Sequence, residues 1–312
     1  MHPNLFYASA LVLSAVAAPT AGSTNFKRQN GNVKIAIGDD DGWATSFIRT
    51  AYNTLTDAGF PSIISAPAEN KSGSSSLDLP ATPLTSAGQF GTIPAGAPAT
   101  GSDPNDSRIN YVNSFPVTAI KFGIKTVAPR ELGGKPDLVI TGPNVGSNLG
   151  IVTQFSGTVG AATEGVKEGI PAIAFSAAGG VAKSFADGDD PIADVYAGLT
   201  LKVVQTLVDS GAPFLPSGVG LNVNFPDITD ACASVDDFKF VLSRVNIDIN
   251  PFTDDVQQCG TNHLPTESSV IDSGNCRVSI SGFDSSDKFD LDKARQAVVR
   301  DKFASILSCI DD

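Results

Sequence analysis

An α/β fold is expected, a mostly parallel sheet with helices on both faces, and three observations carry it. Short apolar runs recur through the first two thirds of the chain, helical stretches stand between them, and polar, glycine-rich turns follow the runs. The first run, Val33, Ile35, Ala36 and Ile37, reads as a buried strand closed by Gly38. Trp43, Phe47, Ala51 and Leu55 then recur every fourth residue and mark the apolar face of a helix ending at Gly59. "SIISAP" reads as a second strand, and residues 80–112, rich in Pro, Gly, Ala, Ser and Thr, as an extended surface excursion. A helical stretch from Val117 to Val127 leads to the buried strand of "PDLVITGPN". A helix over 159–168, the strand "PAIAFS", a helix over 192–208 and the strand "GLNVNFP" complete the alternation. The arrangement is Rossmann-like, an architecture in which ligands collect at the carboxyl ends of the strands.

The first 28 residues are read as processing signals rather than fold. "LFYASALVLSAVAAPTAG" is uncharged and apolar, Ala15-Val16-Ala17 offers a small-residue cleavage site for a signal peptide over 1–17, and Lys27-Arg28 closes a pro-segment over 18–28. A secreted, extracellular protein is therefore expected. Removing residues 1–28 takes away two basic and no acidic residues, leaving 19 basic against 33 acidic, a net −14. Such a surface disfavours nucleic-acid polymers and anionic membranes as partners, and neither is expected. No later run is apolar over the roughly 18 residues of a membrane span, so no membrane insertion is expected.

Residues 29–229 are expected to form the α/β core and residues 230–312 a smaller C-terminal subdomain. All four cysteines, Cys232, Cys259, Cys276 and Cys309, lie in the latter, and in a secreted chain they imply two disulfides with three pairings open. Strand-like "FKFVLSRV" and "CRVSISGF" precede a terminal helix carrying Leu291, Ala294, Val298, Phe303, Ile306 and Ile310. Asn70 and Asn105 open glycosylation sequons.

The chemistry is expected at three polar turns that follow strands: Asp39 to Gly42, Glu69 to Ser76 and Thr141 to Gly150. In a parallel sheet they share one rim. Asp39, Asp40 and Asp41 repel one another unless a cation, basic side chains or open water relieves them. Carboxylates, a hydroxyl and an amide carbonyl are hard oxygen donors, suited to Mg²⁺ or Mn²⁺, with Ca²⁺ also admitted, rather than to zinc. With signal removal His263 is the only histidine, which excludes a multi-histidine site. Neither a G-x-S-x-G elbow, a G-x-G-x-x-G fingerprint nor a Walker loop occurs.

Taken in order, "DDDG", "NKSG", "GPNVGSNLG" and "FSGTVGAATEG" resemble the motifs of the SurE family of survival proteins, metal-dependent 5′-nucleotidases and phosphatases. The resemblance runs from Val33 to Asp227, with "VSISGFD" near the closing strand. It implies Asp40, Asp41, Ser72 and Asn144 as ligands of a divalent cation. It implies Asn148, Ser156, Gly157 and Thr158 as phosphate-binding elements, the last three opening a helix whose positive end suits an anion. The implied reaction is hydrolysis of a small phosphomonoester by a metal-activated water, with Asp40 or Asp41 accepting its proton. Association into a homodimer is also implied.

Two departures stand out: Asp39 where the family usually has Asn, and "SFPVTA", with Phe115 and Thr118, where it has "GTP-x-DC". They keep open a secreted, non-catalytic protein that binds a metal or a phosphate ligand on the same scaffold. A third reading, a haloacid-dehalogenase-type phosphatase, makes Asp39 the nucleophile and Asp41 the acid/base.

Overall fold

The computed structural model describes Met1, residues 30–248 and residues 254–311. Apart from Met1, the expected signal peptide and the pro-segment lie outside the described residues. One sheet of ten strands runs through the molecule: β1 (Ile35–Gly38), β2 (Ser62–Pro67), β3 (Thr100–Asp103), β4 (Asp106–Val112), β5 (Leu138–Val145), β6 (Ala172–Ala177), β7 (Val219–Phe225), β8 (Lys239–Ser243), β9 (Arg277–Asp284) and β10 (Leu307–Ser308). Their spatial order is β10-β8-β9-β7-β6-β5-β1-β2-β4-β3. Among these described strands, β3 on β4 and β7 on β9 are the antiparallel pairs. The helices are α1 (Ser46–Asp57), α2 (Pro116–Phe122), α3 (Ala128–Leu132), α4 (Gly157–Lys167), α5 (Pro191–Asp209), α6 (Glu267–Asp272) and α7 (Lys293–Phe303).

Strand periodicity sorts the core onto two faces. Ile35, Ile37, Ile140 and Phe175 point to one side and pack against Phe47, Leu55, Tyr196, Leu199, Val203 and Phe303 of α1, α5 and α7. Ala36, Val139, Ala172 and Ala174 point to the other and meet Ile120 of α2 and Val159, Ala162 and Val166 of α4. Small side chains on this second face let α4 approach closely: a Cβ on Gly165 would sit 3.0 Å from Val139 Cβ. Burial on both faces explains why these strands read as continuous apolar runs.

From β1 the chain winds outward through β2 in one direction and through β5, β6 and β7 in the other. The carboxyl ends of β1 and β5 therefore flank the switch point of the sheet, where a crevice must open. The acidic turn leaves β1 there, and Asn144 lies at the end of β5.

Three local expectations change. Residues 80–112 do not only wander over the surface, since they carry the edge hairpin β3–β4, with β4 parallel to β2. Trp43 is buried in the turn before α1 rather than in the helix. The terminal helix stops at Phe303, and Leu307–Ser308 pairs with β8 as a strand. Residues beyond Asp230 extend the same sheet through β8, β9 and β10, and their cysteines pair as Cys232–Cys276 and Cys259–Cys309. Among the described residues, no helix is long and apolar enough to cross a membrane.

Candidate metal and phosphate site

The three aspartates after β1 point three ways. Asp39 is fully enclosed; its Oδ1 accepts the Asp40 N–H at 2.8 Å, and its Oδ2 meets no hydrogen-bond donor. Asp40 lies against the start of α4, where Thr158 Oγ1 donates to its Oδ1 at 2.6 Å and the Gly157 and Thr158 N–H groups also face it. Asp41 turns toward the neighbouring turns: its Oδ2 accepts the Val145 N–H at 2.6 Å and its Oδ1 accepts from Asn70 Nδ2 at 2.7 Å.

Glycine is required where α4 begins. A Cβ on Gly157 would stand 2.8 Å from Asp40 Cβ and 2.9 Å from Asp40 Oδ2. Ser156 is the N-cap, its Oγ accepting the Val159 N–H at 3.1 Å.

Electrostatically the turn is costly as it stands. Burial, then the charges of Asp41 and Asp40, push the Asp39 carboxyl far above the usual carboxylate range. Burial raises Asp40 against the opposing effect of its Thr158 and helix-end donors, and Asp41 is pushed up to about 7 by burial and by Asp40. One oxygen from each of the three lies within 4.8 Å of the others.

A cavity of about 250 Å³ opens beside them, lined by Asp40, Ser72, Asn144, Asn148 and Ser156 together with Val145, Val152 and Phe155. No Lys or Arg lines it. Clustered enclosed carboxylates without a basic neighbour, an unpartnered Asp39 oxygen and surrounding hydroxyl and amide oxygens fit a hard divalent cation. This also bears on what holds the acidic turn together: open water does not, because all three side chains are buried.

Of the residues expected from the sequence, Asp40, Ser72, Asn144, Asn148 and Ser156 share this cavity. Asp41 stands beside it. Gly157 and Thr158 do not line it, because they back Asp40 instead. Ser72 is exposed, its N–H donating to Asn70 Oδ1 at 2.9 Å. Asn144 follows a cis Gly142-Pro143 bond and donates through Nδ2 to the Gly146 carbonyl at 2.5 Å. Gly142 has φ of 94°, and a Cβ there would meet the Phe175 carbonyl oxygen at 2.2 Å, so the turn tolerates only glycine.

Asn148 is held from beneath. Its N–H donates to Asn224 Oδ1 at 2.9 Å, its Nδ2 to Ser176 Oγ at 2.8 Å, and its carbonyl accepts from Asn222 and Asn224. Asn222 also donates to Glu267 Oε1 at 2.7 Å, and Glu267 Oε2 accepts the Gly150 N–H at 3.2 Å. Burial raises the Glu267 carboxyl to about 8.

Sequence reasoning missed this support. The signal was present in "LNVNF", where period two puts Asn222 and Asn224 on one face of a buried strand. Glu267, Gln89 (whose Nε2 donates to the Asp41 carbonyl at 2.7 Å) and Lys288 (whose Nζ is 3.4 Å from both Ser75 Oγ and the Gln154 carbonyl) had no local signal.

Fold and site together define a class: a Rossmann-like α/β protein with an oxygen-lined, acidic cavity at its switch point, beside a helix N-terminus. More narrowly, the chain belongs to the SurE family, since the family model for survival protein SurE matches residues 35–263. It is 35% identical over 223 residues to an acid phosphatase of Yarrowia lipolytica, covering 68% of this chain and 62% of that one. It is 32% identical over 197 residues to the 5′-nucleotidase SurE of Lawsonia intracellularis, covering 63% and 67%. The chain thus spans 62% and 67% of the lengths of these two relatives. The crystal structure of the SurE protein from Aquifex aeolicus superposes with a TM-score of 0.57 at 22% identity, covering 81% of this chain and 93% of that one, which confirms the fold. Family membership and the full enclosure of Asp39 weigh against the aspartyl-nucleophile reading.

Proposed function

We propose that this protein is an exported, divalent-cation-dependent phosphomonoester hydrolase. The observation that carries the reading is the cavity in which Asp40, Ser72, Asn144 and Ser156 converge at the switch point of the sheet. Family membership and the names of its relatives support it. Asp40, Asp41, Ser72 and Asn144 would hold the cation, with Mg²⁺ or Mn²⁺ the best match to their oxygens. When bound, the cation supplies Lewis acidity and neutralises charge on the phosphoryl group.

The chain's own residues do the rest. The Ser156 side of the cavity lies at the positive end of α4, which favours a phosphate beside it. Asn148, pinned by Ser176, Asn222 and Asn224, lines the same cavity. The water oxygen forms a bond to phosphorus while the bond to the ester oxygen breaks. One water proton passes to Asp40 or Asp41, and the leaving alkoxide takes a proton from solvent, giving an alcohol and inorganic phosphate. Thr158 and the helix-end N–H groups hold Asp40 in place for this role.

The test is hydrolysis of p-nitrophenyl phosphate and a panel of nucleoside 5′-monophosphates with Mg²⁺, with Mn²⁺ and with chelator, beside Asp40→Ala. Turnover that disappears with chelator and in the variant is the expected result. Folded protein that binds the cation and hydrolyses nothing would establish the non-catalytic binding protein instead.

A further inference from the structure

We propose that Val152 and Phe155 form an apolar shelf that receives an uncharged aromatic leaving group, so that aryl phosphates are better substrates than polyol phosphates. This deepens the hydrolase reading and rests on it. The lining of the phosphate cavity is chemically mixed: Asp40, Ser72, Asn144, Asn148 and Ser156 supply oxygens and amides, while Val145, Val152 and Phe155 supply carbon, and of these Val152 and Phe155 lie close to Ser156 in sequence. Neither Val152 nor Phe155 belongs to either hydrophobic core, and Val152 is 47% and Phe155 62% exposed. A large apolar side chain left in water at the wall of a polar cavity can gain only by covering something apolar.

The backbone that carries the shelf is fixed to the reacting end. The Phe155 N–H donates to the Val152 carbonyl at 3.0 Å, and its carbonyl accepts the Ser75 N–H at 2.9 Å. Ser156, the next residue, donates its N–H to the Val152 carbonyl at 3.0 Å and caps α4. A phosphate bound beside Ser156 is therefore one residue from the ring, within the same cavity, so its ester group has Phe155 within reach. An aromatic ring there stacks or packs edge-on with Phe155. The acidic cavity disfavours a second anionic group on the same molecule, which makes the preferred ligand amphipathic, with phosphate at one end and neutral carbon at the other.

The probes are benzylphosphonate and methylphosphonate, titrated calorimetrically into the full chain with Mn²⁺, alongside turnover of p-nitrophenyl phosphate. Benzylphosphonate should bind about tenfold more tightly than methylphosphonate. Phe155→Ala should reduce that preference to about twofold or less, and Phe155→Tyr, which keeps the ring, should retain it. Turnover by protein that binds both phosphonates equally, or a preference that survives Phe155→Ala, overturns the shelf and leaves the hydrolase reading standing. A ring-dependent preference in protein that hydrolyses nothing supports the shelf and overturns the hydrolase. Binding of neither phosphonate overturns both.

Discussion

Thr158 illustrates how one side chain serves both fold and site. Its side chain is fully buried, and its hydroxyl donates to Asp40 at 2.6 Å. Thr158→Val keeps the shape and removes the donor, so about 1–3 kcal/mol of stability should be lost from leaving the buried Asp40 oxygen without this donor. Catalytic rate should fall with it, as read by thermal unfolding and steady-state kinetics on the same preparation. Glu267 makes a pH-dependent case. Its folded-state value of about 8 lies above the ordinary 4.5, so the folded chain binds the proton more tightly than the unfolded chain. Its contribution is thus full below pH 4.5 and is lost as pH rises toward 8. Glu267→Gln forfeits an acceptor for the Gly150 or Asn222 N–H and should be less stable in acid. Relative to wild type, its stability should fall less between those pH values, and denaturant midpoints taken across the range check this. An unchanged slope would mean Glu267 does not titrate in the folded chain.

At the level of elements, α4 and the Ser72–Ser75 turn are locked together. A Cβ on Gly160 would meet the Ser75 carbonyl oxygen at 1.9 Å, so Gly160→Ala must displace that turn. Overpacking of this kind costs about 1–3 kcal/mol, and cation affinity should drop because Ser72 moves with the turn. Unfolding and Mn²⁺ titration of the variant measure both effects, and unaltered affinity would remove Ser72 from the site. Elements with strong local pattern were readable from sequence: β1, α1, β5, α4 and β7 all follow apolar periodicity because they face a core. The edge hairpin β3–β4 was not, because what fixes it lies elsewhere in the chain. Arg49 pairs with Asp103 at 2.9 Å, and Tyr52 donates to Asp106 at 2.7 Å. The end of α7 was overrun for a similar reason: the pairing of Leu307–Ser308 with β8 and the Cys259–Cys309 bond pull the chain out of the helix. Within the site, the acidic and asparagine turns were legible as motifs, whereas the roles of Gly157 and Thr158 depend on where Asp40 rests, a contact 118 residues apart in sequence.

Across the whole molecule, the C-terminal region both extends the sheet and touches the segments that carry the site, since Gln154 Nε2 donates to the Asp287 carbonyl at 2.9 Å and Lys288 lies against Ser75. The Cys232–Cys276 bond closes a span of 44 residues across β8 and α6. Chain entropy alone makes such a link worth about 4 kcal/mol, so Cys232→Ala/Cys276→Ala should show a markedly lower unfolding midpoint, measured by calorimetry. If that variant unfolds like wild type, the bond contributes nothing to the native balance. The proposal that Asp40 lies at the heart of a cation-dependent hydrolase is tested most sharply by the rate of p-nitrophenyl phosphate hydrolysis against free Mn²⁺ for wild type and Asp40→Asn. A saturable rise in wild type that chelator abolishes, with the variant slower by about 10²-fold or more, is the expected result. A rate indifferent to chelator, or a variant as fast as wild type, would contradict it.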